Sequence, residues 1–170
     1  QTRKVVTVER RSRRFASERL ERVARRLMNA STLCSLATVS PGGRAHINHM
    51  YFVWSDRYEV IWFSDRDSIH SRNLKRSPTA AITIYDSHQV NGRPDRGIQL
   101  FRTAAIAPYE EATPAYTRRF RVDPSAYTPY RFRARTVKLF DERSLAPATL
   151  VTARVTRDGL AWEKTEVWVV

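Results

Sequence analysis

Cysteine is almost absent from these 170 residues: only Cys34 occurs, inside an apolar run, so no disulfide can form within the chain. A thiol in that setting reads as a small core residue rather than a nucleophile. Glycine is scarce as well, five in all, and no Walker or dinucleotide-type phosphate loop can be assembled from them. No glycine-flanked serine stands at a strand-to-helix elbow, which removes the usual signature of an acyl-transfer nucleophile. Nothing approaches 18 consecutive apolar residues, so no membrane-spanning helix is expected. The chain opens on basic residues without an apolar signal segment, and the expected location is cytoplasmic. The four histidines, His46, His49, His70 and His88, give no convergent metal set. His46 and His49 are three apart, a spacing that points them to opposite sides of a strand. No metal is expected.

What the chain has in excess is positive charge, a formal +13. Such a balance invites a nucleic-acid reading. Two observations temper it. Only four of the 30 basic residues are lysine, an arginine bias that genome composition can produce. The excess is also concentrated, with ten basic and three acidic residues in positions 1–30. Residues 1–16 therefore read as a basic arm, strand-like at Val5–Val8, and this arm keeps nucleic acid among the alternative partners.

The rest reads as one domain of strands with a few helices. From Ser17, expected as an N-cap, Leu20, Val23, Ala24 and Leu27 recur at helical spacing. Leu33–Val39, Ala45–Trp54 and Tyr58–Ser64 read as three strands joined by short turns, an antiparallel meander. A short polar helix at 67–76 follows, with Asp67 as the expected cap, then strands at 79–87 and 97–107. Pro108 opens a helix over Tyr109–Phe120, and Tyr130–Phe140 is a sixth strand. Residues 17–145 make the domain. Residues 146–170, with a turn at Asp158-Gly159 and one more strand, read as an extension packing on it. Closure into a barrel is the natural economy, because it removes exposed edges.

Two places carry chemistry. The start of the short helix offers free N–H groups and a partial positive charge, to which Ser68 and Ser71 add hydroxyls and His70 or Arg72 adds charge. The second strand is mixed on both faces: His46, Asn48, Met50, Phe52 and Trp54 on one, Ile47, His49, Tyr51 and Val53 on the other. One face would fill a barrel while the other meets a planar ligand or a second subunit.

The order and wording of these pieces resemble the flavin-binding split barrels related to pyridoxamine 5′-phosphate oxidase. The stretches that carry the resemblance are Leu36-Ala37-Thr38-Val39, Gly42-Gly43-Arg44-Ala45, and Asn73-Leu74 followed by Pro78. Later come Gly97-Ile98-Gln99, residues 115–120 and residues 137–141; together they span roughly residues 20–145. The resemblance implies a mainly β fold with flanking helices, a six-stranded antiparallel split β-barrel forming a homodimer. The implied cofactor is FMN, with deazaflavin, haem or no cofactor as the alternatives. The flavin ring would rest on His46, Ile47, Asn48, His49, Ile61, Trp62 and Phe63. Its phosphate would be gripped by Ser64, Ser68, Ile69, His70 and Ser71, with Arg72 and Gln99 contributing. His49 and Tyr51 are the candidates for proton transfer to a small organic substrate. The implied activity is FMN-dependent oxidoreduction, and the other reading is a haem-binding or cofactor-free ligand-binding protein on the same barrel. The chain departs from the family pattern at Ile69-His70, where flavin-binding members usually carry an Arg-Lys pair. It departs again at Arg102, where a glycine is common.

Overall fold

The computed structural model describes residues 4–170, so the first three residues of the expected arm lie outside it. Its elements begin with β1 (Thr7–Arg11), α1 (Ser17–Met28), β2 (Leu33–Val39), β3 (Ala45–Tyr51), β4 (Val53–Trp54) and β5 (Glu59–Ser64). They continue with α2 (Ile69–Arg76), β6 (Thr79–Ile84), β7 (Arg96–Ile106), α3 (Tyr109–Phe120), β8 (Thr128–Asp141), β9 (Thr149–Thr156) and β10 (Gly159–Val169).

Seven of these strands form the barrel in six positions, β3 and β4 together taking one. β3 pairs with β2, β2 with β6, β6 with β7, β7 with β8, β8 with β5 and β5 with β4, all antiparallel. The expected strand from Ala45 to Trp54 is interrupted at Phe52, which separates β3 from β4. That bend lets one stretch of chain leave β2 and turn onto β5, and it closes the ring. Phe52 is wholly buried at the corner. The barrel is split along β8. The first half of that strand, Thr128–Arg133, pairs with β5, and Thr136–Phe140 pairs with β9. The fold is therefore mainly β, an antiparallel split barrel whose sheet continues past six strands through β9, β10 and β1.

The tail makes two strands where one was expected. Gly159 sits in their turn at φ 120°, and a Cβ there would stand 2.7 Å from Glu21 Oε1 of α1. The positive φ favours glycine, while the Glu21 carboxylate, at the end of a flexible side chain, could shift aside. β1 lies along the edge of β10 with every side chain exposed.

α1 is capped at Ala16 and not at Ser17, with no side-chain cap. The entry is instead fixed by Phe15 and Leu20, the two staple positions around the first turn, both buried in the same core. Leu20, Val23, Ala24, Leu27 and Met28 are buried with Leu36, Tyr58, Trp62, Phe132 and Leu139 in one cluster. Cys34 belongs to it, and burial pushes its thiol up to about 12. It is protonated at neutral pH and no nucleophile.

Polar ties fix α1 to the turn after β8. The buried Asp141 carboxylate accepts from the N–H groups of Arg143 (3.1 Å) and Ser144 (3.0 Å) and from Arg26 Nη2 (2.7 Å). Arg19 Nε donates to the Ser144 carbonyl at 3.1 Å. Replacing Asp141 by Ala takes the side-chain acceptor from the part-buried Arg143 and Ser144 N–H groups and releases Arg26. We expect a loss of about 2 kcal/mol in urea denaturation. A variant as stable as the parent would show that the turn is held by packing alone.

Candidate functional site

The strand registers divide the residues expected at one site between two faces. His46, Asn48 and Met50 are half-buried and turn inward, whereas Ile47, His49 and Tyr51 are exposed. Pairing carries the outer face across the sheet: His49 faces Ser35, Ser35 faces Thr83, and Thr83 faces Gln99. The adjacent row is Ile47, Ala37, Ala81 and Phe101. Gln99 therefore shares a surface with Ile47 and His49, away from His46 and Asn48. Arg102 is exposed beside the bulge that follows Phe101.

β5 is divided in the same way. Trp62 points into the barrel, fully buried and stacked on Tyr130 at 5.6 Å between centroids. Its side chain is closed to any ligand at the surface. Ile61 and Phe63 point outward into a second apolar cluster with Val53, Ala107 and Ala112. α3 covers them there, so Ile61 is also buried. The cover extends to Tyr51, whose ring meets Phe120 edge-on at 5.4 Å, while Phe63 packs against Tyr116 at 4.8 Å. Burial pushes the Tyr116 hydroxyl up from its ordinary value, with Tyr51 adding to the effect. This aromatic group was not evident from the sequence, because its members come from three separate elements.

The start of α2 gathers the remaining residues. Ser68, not Asp67, is the N-cap; its Oγ accepts from Ser71 N (3.4 Å) and donates toward Asp65 O (2.8 Å). The acid that caps locally is Asp65, whose Oδ1 accepts from Asp67 N (2.8 Å). His70 is buried, with Nε2 at 2.6 Å from Ser64 Oγ and 3.1 Å from Ser68 Oγ. Its ring lies nearly parallel to that of His46 at 6.4 Å. Burial, and secondarily the charge of His46, hold His70 below the usual imidazole value of 6.5, so it is neutral at pH 7.

This corner therefore holds three hydroxyls, Ser64, Ser68 and Ser71, together with one neutral imidazole at a helix N-terminus. Asn48 Oδ1 is buried with no partner among the described residues. Arg72 does not join the corner. It is exposed and lines a cleft on another side of α2 with Arg66, Lys75 and Arg76. Among the described residues no group of three His, Cys, Asp or Glu side chains is placed to hold a metal ion. No helix is long and apolar enough to cross a membrane.

A split barrel with a polar helix against its second strand, and with a hydroxyl-rich corner where that helix starts, defines the class of protein. Residues 20–156 match the family model of pyridoxamine 5′-phosphate oxidase, and the chain belongs to that family. No curated protein matches it significantly. Among solved structures it is similar to a conserved hypothetical protein from Mycobacterium tuberculosis, with 20% identity and a TM-score of 0.62 over 81% of this chain and 92% of the other. A pyridoxamine 5′-phosphate oxidase-related, FMN-binding protein from Nostoc punctiforme is 14% identical, with a TM-score of 0.58 over 90% and 93%. The haem storage protein HutZ of Vibrio cholerae is 15% identical, with a TM-score of 0.57 over 68% and 89%.

What seats α2 is the buried hydrogen bond from Asn73 Nδ2 to Thr38 Oγ1, 3.0 Å. Asn73→Ala removes the donor and leaves the Thr38 hydroxyl buried alone, a cost of roughly 1–3 kcal/mol. We expect faster amide hydrogen exchange in α2 than in α1 of this variant. Equal protection of the two helices would show that α2 is anchored elsewhere.

Proposed function

We propose that the chain is an FMN-dependent oxidoreductase acting on a small organic substrate as a homodimer. The observation that carries this reading is the corner at the start of α2. There Ser64, Ser68 and Ser71 and the free N–H groups of Ile69 and His70 converge where the family places its flavin phosphate. The donor set suits a phosphate, with one change. The usual permanent cations are replaced by an imidazole that gains charge only on protonation. Bound FMN supplies the hydride chemistry, and the protein supplies orientation and exclusion of water.

On the outer face, the row of exposed Ile47 and half-buried Ala37, Ala81 and Phe101 offers a largely apolar surface for a second subunit or for the ring. His49 and Tyr51 stand at its margin as the groups able to exchange a proton with substrate. A specific observation favours a second reading. The phosphate cations are missing while the rings of His46 and His70 lie parallel at that corner, and His49 is exposed on the other face of β3. That substitution suits a haem-binding or cofactor-free protein. An absorbance spectrum separates these readings, because a two-band flavin profile, a sharp Soret band and a blank are distinct.

Titration with FMN should quench flavin fluorescence; absence of quenching together with colourless purified protein overturns the reading. The pH dependence gives a finer test. The phosphate favours charged His70, so bound FMN raises the imidazole pKa that burial has lowered. Affinity owed to His70 therefore grows as pH falls through the window between its value in the complex and its lower free value. The phosphate's own second ionisation, near about 6, works in the opposite sense. The comparison is thus with His70→Gln, and the ratio of the two dissociation constants should widen several-fold from about pH 8 to about pH 6. His70→Lys should tighten binding at about pH 8 by about tenfold, the worth of one charge-assisted bond. A ratio independent of pH would remove His70 from the grip.

A further inference from the structure

The basic residues of α2 lie on the side turned away from His70. At 100° per residue, Arg72, Lys75 and Arg76 are grouped roughly opposite it. They border a cleft of about 860 Å³ between α2 and the end of β7, and Arg66 completes the border from the loop before the helix. Arg66 is held in position by its Nε, which donates to Thr128 Oγ1 at 3.0 Å. None of the four cations is salt-bridged among the described residues, although ten other ion pairs are formed there. Asp67 is the only acid lining the cleft. The dipole at the C-terminal end of α2 accounts for Lys75 and Arg76, but not for Arg66 and Arg72 at the other end.

The floor differs in character from the rim. Leu74, Ala105, Ile106 and Tyr130 form it, and Ile106 is 56% exposed at the end of a strand. Like-charged groups around a low-dielectric floor focus their field into the cleft and attract an anion. Arginine forks match phosphate oxygens, and the volume is that of an ordinary small-molecule site. An inorganic ion would leave the apolar floor unused, whereas a nucleic-acid backbone would have no need of it.

We propose that this cleft binds a phosphorylated small molecule of nucleotide size, with its phosphates on Arg66, Arg72, Lys75 and Arg76 and its ring against Leu74 and Ile106. The cleft lies on another side of α2 from Ser64, Ser68 and His70, with Ser71 lining it as well as belonging to that corner, and the proposal does not depend on the flavin reading.

Isothermal titration of the full chain with ADP, pyrophosphate and adenosine tests this. ADP should bind, with adenosine and pyrophosphate each at least about tenfold weaker. The pair Arg72→Ala and Lys75→Ala should weaken ADP by about tenfold or more, the worth of one to two charge-assisted contacts. Both side chains are exposed, so the fold is retained. The pair Arg118→Ala and Arg157→Ala removes the same charge elsewhere and should change nothing. Ile106→Asp should weaken ADP more than pyrophosphate, and His70→Gln should leave ADP binding unaltered. Four results overturn the proposal. They are no binding of ADP, equal losses in the two double variants, loss of ADP binding in His70→Gln, and a single-stranded RNA that binds more tightly and depends on residues 4–16.

Discussion

Burying polar side chains is unfavourable unless each finds a partner, and α2 buries three of them, His70, Ser71 and Asn73. An apolar helix could slide or rotate on the barrel at little cost. This one cannot, because Asn73 must reach Thr38, and His70 must reach Ser64 and Ser68. The position of α2 is thus specified by hydrogen bonds, while α1 is specified by the volume of its leucines and valine in the core. The contrast separates scaffold from site. The helix that sends its apolar side chains into the core builds the interior, its polar ties running outside that core to the turn after β8, and the helix that buries polar side chains presents donors that a ligand can use.

Placing α2 in this way also sorts its charge. Helical geometry sends His70 toward His46 and leaves Arg72, Lys75 and Arg76 on other sides. A corner rich in hydroxyls but without a fixed cation lies on one side, and a strongly cationic cleft lies on the other. The usual grip combines both properties in one place. The same short helix here carries its hydroxyl donors on one side and its permanent charge on another. That explains why residue types in α2 read as an anion site while the pair at Ile69-His70 reads against one.

Much of the barrel was legible because its alternation is strict. Cys34, Leu36 and Thr38 turn inward and Ser35, Ala37 and Val39 outward, a period of two that the chain states directly. The break at Phe52 was not legible, since an aromatic residue among Tyr51, Val53 and Trp54 interrupts no pattern; the bend comes from closing the ring. The cap at Ser68 was displaced by one residue because Asp65 engages the loop before the helix, leaving Asp67 without the role its type suggested. The two faces of β3 were visible in the sequence, but which elements cover them was not. The sequence carries no record that Gln99 reaches His49's surface through β2 and β6, nor that α3 folds over Ile61 and Phe63.

The same limit explains why candidate residues that are neighbours in the chain lie on two faces of β3. A motif groups residues by chain order, and a strand sends neighbours to opposite sides. His46 and Asn48 therefore belong with α2, and Ile47 and His49 with the open face of the sheet, although all four are consecutive. A planar cofactor reaching both sets has to pass round the edge that β3 presents. β3 pairs with β2 alone along its length, so that edge is unpaired among the described residues. An unpaired strand edge with an apolar outer face is a liability for a lone protein, and covering it with a second copy removes that liability while completing a cleft around it. On this argument the departure from the usual phosphate grip and the case for a homodimer are connected. Under the proposed reading, one subunit supplies hydroxyls and an imidazole that is neutral until it takes up a proton, and any permanent charge on an anionic cofactor would come from outside the corner.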